Sequence, residues 1–323
     1  MNQFINIILF LIFYVISLPF RFLPYELAQK LGYLITKFFF KILKKYPKIV
    51  YNNLRNAFPD KDEDFYYKVY NENLKHTGRL LADTFLKKRM KEKWFKKRII
   101  YDSSTEKIER EIEEKLSKKE PVILISGHLG SWENLAQYLG FRFYPKTGII
   151  YKSIRNPYVD KWFYKLRSAT GAKLYRMEDS LHAIKFLQEG NLLGIAPDQN
   201  AGGSGIMIDF LNRPASTYKG PALIAYMSNA HIYFVALLHE DQGKMKLLYE
   251  YLGKVSKNEE NNNKTKEEII KDWTEKWVHV LEKYVKIYPE QYFWVHQRWK
   301  TTPEIMKKFE EEKLRKRGII KNL

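Results

Sequence analysis

PVILISGHLGSWENLAQYLG, residues 121–140, is the stretch that decides the fold of this chain. Its apolar run Val122–Ile125 predicts a short buried strand, and the residues from Ser131 onward predict a helix. Two glycines bracket His128 between these elements, and glycine favours turn conformations. A side chain placed where a strand ends and a helix begins lies at the ligand-binding edge of an open α/β sheet. The stretch therefore predicts an α/β fold and makes His128 a candidate site residue.

Glu133 follows His128 five positions later, which gives the pattern H-x4-E. On one continuous helix this separation is about 500°, roughly 140° away from the face of the histidine. The two side chains meet most easily if His128 lies in the turn and Glu133 in the first helical turn. The carboxylate would then hold Nδ1–H and leave Nε2 free to accept a proton. The spacing alone also fits a turn histidine and a glutamate favoured by the helix dipole.

The composition limits the class of partner. The 323 residues can form one large α/β domain or two smaller ones. The chain carries 56 Lys and Arg against 37 Asp and Glu, a formal net charge of +19. Such a charge favours an acidic partner, which is nucleic acid, anionic lipid or an acidic carrier protein. The chain has no cysteine, and this excludes thiol catalysis, cysteine-based zinc sites and disulfides.

The first 20 residues contain no charged side chain, and this length suffices to cross a hydrocarbon core. A cleaved signal peptide fits poorly, because a basic start and a small-residue cleavage site are both missing. Basic residues follow from Arg21 to Lys48, so the positive-inside rule predicts that the remaining chain stays cytoplasmic. The alternative is a buried core helix.

Residues 25–45 have the pattern of a basic amphipathic helix, with apolar residues at spacings of three and four opposite a lysine-rich face. Such a helix beside an apolar anchor predicts a protein that lies on an anionic membrane surface. An ordinary packed helix with solvated lysines is the alternative. We therefore divide the chain into a membrane anchor with an interfacial helix at 1–45, a catalytic domain at 46–300 and a basic tail at 301–323.

Strand and helix patterns alternate after residue 120, which predicts a mainly parallel sheet flanked by helices. Caps are predicted at Asp60–Glu63 and at Ser103, each before a helix. The polar segment 256–265 is predicted to be a mobile loop without chemistry. The predicted strands are 121–126, 147–152, 172–176, 191–196, 206–210, 231–238 and 244–252, the last two forming a hairpin. The predicted helices are 131–139, 157–169, 180–189, 218–229 and 265–287.

Two further segments are candidates for the site. Lys152 and Arg155 follow a predicted strand and, with Arg167, could form a basic cup for phosphate. Asp198 follows the apolar strand ending at Ile195 and precedes a glycine-rich loop. An acid at the carboxyl end of a strand is where α/β sites are assembled, although a turn-forming role is equally open. The glycine spacing differs from the nucleotide-binding fingerprints.

Taken together, these motifs resemble the bacterial lipid A biosynthesis acyltransferases, the late lauroyl and myristoyl transferases that act on Kdo-lipid A. The resemblance covers nearly the whole chain. It is carried by NNLRNAFP at 52–59, GHLGSWE at 127–133, Asn156-Pro157 with Arg167, APDQ at 196–199, ASTYKG at 215–220 and YFWVHQRWK at 292–300. The glycerol-phosphate acyltransferases have a similar sheet but usually aspartate at the position of Glu133, which favours the lipid A branch.

The resemblance implies a membrane-bound O-acyltransferase of the bacterial inner membrane, with its catalytic domain on the cytoplasmic side. It would move a fatty acyl group from acyl carrier protein to a hydroxyl of a lipid A precursor. His128 would be the general base and Glu133 its orienting partner, while Arg167 would bind an acidic group of the acceptor and Asp198 would support the site. No metal or cofactor is implied, because a thioester is already activated.

Two other functions stay open at this point. One is an acyltransferase for another glycolipid or glycerolipid, and the other is a non-catalytic protein that binds a membrane surface. A nucleic-acid partner fits the charge but not the apolar start of the chain. Two positions depart from the family pattern, Asn212 where glycine is frequent and Gln297 where arginine is common. The loss of a cation at Gln297 puts the role of that terminal segment in doubt.

Overall fold

A mostly parallel sheet forms the centre of the protein. The computed structural model describes residues 3–256 and 264–316. Within them, seven strands lie side by side in the order β1-β9-β8-β2-β5-β3-β4, and only the pair β8–β9 is antiparallel. This confirms the predicted α/β class. The strands are β1 Ile99–Ile100, β2 Val122–Ile125, β3 Thr147–Tyr151, β4 Lys173–Arg176, β5 Leu192–Ile195, β8 His231–His239 and β9 Met245–Lys254.

Helices cover both faces of the sheet, and a separate antiparallel hairpin follows β5. The hairpin strands are β6 Ile206–Phe210 and β7 Arg213–Thr217. The helices are α1 Gln3–Ser17, α2 Tyr25–Ile42, α3 Lys45–Ala57, α4 Glu63–Leu86, α5 Glu92–Arg98, α6 Ser103–Ser117, α7 Trp132–Arg142, α8 Pro157–Ser168, α9 Ser180–Gln188, α10 Gly220–Ser228, α11 Lys266–Ile287 and α12 Pro303–Lys316.

The central strands are apolar on both faces because both faces are covered. Along β2, Ile123 and Ile125 belong to the core under α10 and α11. The alternate residues Val122 and Leu124 belong to a second core, shared with α6 and α7. Successive side chains of a strand point to opposite faces, so one four-residue strand joins the two cores. This explains why all four residues of the strand, VILI at 122–125, are apolar.

The two N-terminal helices lie at the surface. The helical stretch Gln3–Arg21 is long and apolar enough to cross a membrane, and most of it is exposed. Helix α2 packs closely on α4, where a Cβ on Gly32 would come within 2.2 Å of the Gly78 carbonyl oxygen. The outer face of α2 is apolar and exposed, and lysines lie on the adjacent face of the helix. The exposed apolar residues are Leu27, Leu34, Phe38 and Ile42, and the lysines are Lys30, Lys37 and Lys41.

Several predicted element ends were displaced. The amphipathic helix ends at Ile42 and a second helix begins at Lys45. The helix at Ser103 is capped by the preceding Asp102, whose carboxylate accepts the Thr105 N–H at 2.7 Å. Strand β7 was not predicted, and it contains Pro214, a residue that strands rarely hold in their interior. Residues 257–263 of the predicted mobile loop and 317–323 of the basic tail lie outside the described residues.

Candidate active site

Strand pairing brings His128 and Asp198 together. Strands β2 and β5 are parallel neighbours, with Ile125 opposite Ile195. The Ser126 N–H extends this pairing by donating to the Ile195 carbonyl at 2.8 Å. Each site residue stands three positions beyond the last residue of its strand. The two strands are adjacent and in register, and each site residue stands the same number of positions beyond the end of its strand. The side chains of His128 and Asp198 therefore lie close together at the edge of the sheet.

Asp198 holds His128 through both of its carboxylate oxygens. Its Oδ1 lies 2.6 Å from the Nδ1 of His128, and its Oδ2 accepts the His128 backbone N–H at 3.0 Å. The aspartate is 1 % exposed. A hydrogen bond from Nδ1–H to the carboxylate leaves Nε2 as the proton acceptor. The Gln199 side-chain amide lies 3.3 Å from that Nε2.

The electrostatics of this pair suit a base that gains a proton. Burial of the imidazole opposes its charged form, but the Asp198 carboxylate outweighs burial and raises the pKa of His128 above its ordinary value. Burial likewise opposes ionisation of Asp198, and the attraction of His128 lowers the pKa of that carboxyl to about 2. The arrangement stabilises an imidazolium against an ionised, water-excluded carboxylate.

Glu133 does not contact Nδ1 of His128, so the predicted contact is wrong. The Arg167 guanidinium binds both Glu133 carboxylate oxygens, through Nη2 and through Nε, the latter at 3.3 Å. Lys87 Nζ lies 3.1 Å from Oε2 and donates to the Glu133 backbone carbonyl at 2.5 Å. Burial opposes ionisation of Glu133, but Arg167 and Lys87 outweigh it and lower the pKa of this carboxyl. The Glu133 carboxylate contacts the buried Lys87 and the partly buried Arg167, and Asp198 is the carboxylate that contacts His128.

Arg167 pairs with Glu133 in this structure, and its predicted contact with an acidic group of the acceptor stays a prediction. Arg167 is in the last turn of α8 and Glu133 is in the first turn of α7. Lys152 lines the same cavity, and within the described residues its ammonium group forms no ion pair with a carboxylate. Lys152 directly follows β3, at the same edge of the sheet.

A cavity of about 490 Å³ runs from His128 into the apolar interior. One wall is the sheet, where Leu124, Gly194 and Ile149 are register partners on three adjacent strands. The opposite wall is α7, with Leu135 and Leu139. The polar groups are gathered at the mouth. They include His128, Glu133, Lys152, Ser153, Arg167 and Gln199. An apolar cavity with a base at its lining suits a hydrocarbon chain with a reactive head.

The sequence did not reveal two members of the site. Lys87 follows α4, 46 residues before Glu133, and nothing around it distinguishes it from the many other lysines. Gln199 belongs to the APDQ segment, but nothing in the sequence assigned it a role of its own. Its position next to Asp198, just beyond the end of a strand, was the one feature of the sequence that could have marked it as a site residue. Ser131 is the N-cap residue of α7, as predicted, but its hydroxyl donates to the buried Asp83 at 2.5 Å and makes no capping hydrogen bond.

The chain matches known proteins along nearly its whole length. The family model for bacterial lipid A biosynthesis acyltransferases matches residues 3–301. The chain is also similar to a lipid A biosynthesis lauroyltransferase of Escherichia coli strain K12. The two are 29 % identical over 289 residues, which cover 87 % of this chain and 88 % of that protein. The match includes the strand-turn-helix of His128, the Arg167 helix and the Asp198 loop, so the chain belongs to the bacterial lipid A biosynthesis acyltransferase family.

Proposed function

We propose that this protein transfers a fatty acyl group from an acyl carrier protein thioester to a hydroxyl of a lipid A precursor, Kdo-lipid A. One observation carries the proposal. The Nε2 of a histidine oriented by a buried aspartate lies at the mouth of an apolar cavity. The family match and the similarity to a lauroyltransferase support the same reaction.

The proposed chemistry needs one base. His128 Nε2 takes the proton of the acceptor hydroxyl while its oxygen attacks the thioester carbonyl carbon. The imidazolium is stabilised by Asp198, whose carboxylate does not itself take the proton. When the tetrahedral intermediate collapses, the carbon–sulfur bond breaks and the imidazolium returns its proton to the thiolate. The Gln199 side-chain amide lies next to Nε2 of His128 in this structure. The acceptor hydroxyl would have to take the place of this amide before the reaction.

The acyl donor and the acceptor would bind at different ends of the cavity. The apolar part between the sheet and α7 takes the acyl chain. Lys152 and Arg167 both line the cavity, and we propose that they bind an acidic group of the acceptor. The net charge of +19 would attract an acidic carrier protein.

The reaction can be tested with membranes from cells that express the protein and matched membranes that lack it. Kdo-lipid A and radiolabelled acyl carrier protein thioesters are supplied, and acylated lipid is measured. Transfer that depends on expression supports the proposal. Transfer only to a glycerolipid or another glycolipid would identify a different acyltransferase. No transfer to any lipid, together with vesicle binding, would indicate a membrane-surface binding protein.

We expect Gly194→Ala to shorten the acyl chain that the protein prefers. A Cβ at this position would point into the cavity wall, 2.8 Å from Cδ1 of Ile149. One methylene in such a pocket is worth roughly 1–3 kcal/mol of discrimination. The ratio of kcat/KM for the longest accepted chain to that for a chain two carbons shorter should therefore fall about tenfold or more. Competition between acyl carrier protein thioesters of graded length measures it.

Gly148→Ala is the matched control for this prediction. A Cβ at Gly148 would meet Phe186 at 2.8 Å, so the crowding is similar, but Gly148 does not line the cavity. It should lower stability without changing chain preference. An unchanged preference in Gly194→Ala would show that the acyl chain lies elsewhere.

We also propose that residues 1–45 attach the protein to the inner membrane, with the catalytic domain on the cytoplasmic side. The exposed apolar helix α1 and the exposed apolar face of α2 support this. The protein should remain in the membrane pellet after carbonate extraction, because about 20 apolar residues suffice to span the bilayer. A variant lacking residues 1–20 should become extractable. Full release of the intact chain by carbonate would contradict a spanning helix.

A further inference from the structure

The segment 291–301, here called the terminal strap, pairs with the turn that carries His128. The Phe293 N–H donates to the His128 carbonyl at 3.0 Å, and the Gly130 N–H donates to the Gln291 carbonyl at 3.0 Å. Between these bonds, Leu129 and Tyr292 form an antiparallel bridge. The strap therefore fixes the backbone of the His128 turn from outside the main sheet.

The same strap also holds the loop of Asp198. His296 Nε2 accepts the backbone N–H of Asn200 at 2.8 Å, two residues after the aspartate. The Asn200 side chain donates to the Thr301 hydroxyl at 3.0 Å. Arg298 is 2 % exposed and donates to the Ser216 carbonyl at 2.6 Å. That carbonyl also accepts the N–H of Ala201 at 3.1 Å, from the same loop.

The strap is anchored independently of the site. Asn53 of α3 donates to the carbonyls of Trp294 at 2.6 Å and of His296 at 2.8 Å. Asn73 of α4 donates to the carbonyls of Glu290 at 2.8 Å and Tyr292 at 2.7 Å. Both asparagines are buried. Helices α3 and α4 therefore hold the terminal strap in place, and the strap in turn holds both the His128 turn and the Asp198 loop.

We propose that His296 is a positioning residue of this acyl transfer, because its bond to Asn200 keeps Asp198 in register with His128. The proposal rests on the proposed function. Burial lowers the pKa of His296 to about 4, so its ring is neutral near pH 7 and Nε2 can accept the Asn200 N–H. Without this acceptor the partly buried Asn200 N–H loses its partner, and the loop is free to shift. Misplacement of a catalytic contact by about 1 Å can cost roughly 10²-fold in rate.

The test compares His296→Ala with His296→Gln. The Oε1 of glutamine reaches about as far as Nε2 and can accept the same N–H, whereas alanine offers no acceptor. We expect kcat to fall about 10–100-fold in His296→Ala, KM for donor and acceptor to stay within about twofold, and most of kcat to return in His296→Gln. His182→Asn is the matched control, because His182 is exposed on α9.

A second readout does not depend on turnover. The imidazole of His128 is titrated by nuclear magnetic resonance in detergent micelles. The charged groups that act on it are Asp198, Glu133 and Arg167, and His296 also acts on it when His296 is charged. Because His296 is neutral near pH 7, its replacement changes the titration through the position of Asp198. Because Asp198 raises the pKa of His128, that pKa should fall in His296→Ala and recover in His296→Gln. Thr301→Val, which removes only the contact to the Asn200 side chain, should give a smaller shift in the same direction.

The outcomes separate the two proposals. If kcat falls but the titration of His128 is unchanged in both His296→Ala and Thr301→Val, the positioning role is overturned. The same conclusion follows if His296→Gln is as impaired as His296→Ala. If wild-type protein shows no acyl transfer while the titration shifts as expected, the positioning role is supported and the proposed reaction fails.

Discussion

Replacing His128 by alanine is expected to lower kcat about 10²–10⁴-fold, the usual cost of losing a general base. This corresponds to roughly 3–5 kcal/mol in the barrier. The fold should persist, because the ring is at the mouth of the cavity and its backbone contacts to Asp198 and Phe293 do not need the side chain. Initial rates with saturating thioester and Kdo-lipid A measure the effect. His182→Ala, at an exposed position on α9, is the control.

The partner of His128 can be identified with a double variant. If Asp198 orients the imidazole, Asp198→Asn should also lower kcat, and the double variant should be scarcely worse than His128→Ala alone. Since Asp198 raises the pKa of His128, Asp198→Asn should move the acid limb of the kcat/KM profile to lower pH, because the neutral base persists further into acid. Losses that simply multiply, or an acid limb that does not move, would contradict the pairing.

The sequence predicted the outline of this site because its signals are local. The apolar run, the paired glycines and the following helix all lie within residues 121–140, and the structure has the strand, the turn and the helix there. The alternation after residue 120 likewise sufficed for the α/β class. Turn chemistry and apolar periodicity depend on neighbours in the chain, and both are visible without the fold.

The pairing of Asp198 with His128 depends on strand order, which alternation does not reveal. Several orders are compatible with the same succession of strands and helices. Only the order in which β5 lies beside β2 puts both strand ends at one point. H-x4-E then suggested a nearer partner, and the contact assigned to Glu133 was wrong for this reason. Proximity in sequence was a poor guide to proximity across the sheet edge.

The surroundings of Glu133 were equally hidden. Lys87 comes from the end of α4 and Arg167 from the end of α8, so the cluster depends on how three helices pack. A lysine in a chain with 56 basic residues carries no sign that it is buried. The side chain of Lys87 is nevertheless 1 % exposed in the structure. Such a lysine needs a carboxylate, and this requirement gives Glu133 a structural role that the sequence did not suggest.

Glu133→Gln is therefore expected to lower the stability of the fold. It leaves the buried Lys87 and the partly buried Arg167 without a carboxylate between them, and breaking a buried pair in this way typically costs about 3–5 kcal/mol. For 323 residues, an unfolding entropy of roughly 2.1 cal/mol/K per residue converts this into a fall in Tm of about 4–7 °C. Thermal unfolding in detergent micelles measures it.

Charge balance makes this prediction specific. The cluster of Lys87, Glu133 and Arg167 carries one net positive charge, and Glu133→Gln raises it to two. Adding Lys87→Met returns it to one, so the double variant should recover part of the lost Tm. Glu72→Gln is the control, because Glu72 and its partner Lys75 are about half exposed and a surface pair contributes about 1 kcal/mol or less. A wild-type Tm in Glu133→Gln with a large loss of kcat would instead place this carboxylate in the chemistry alone.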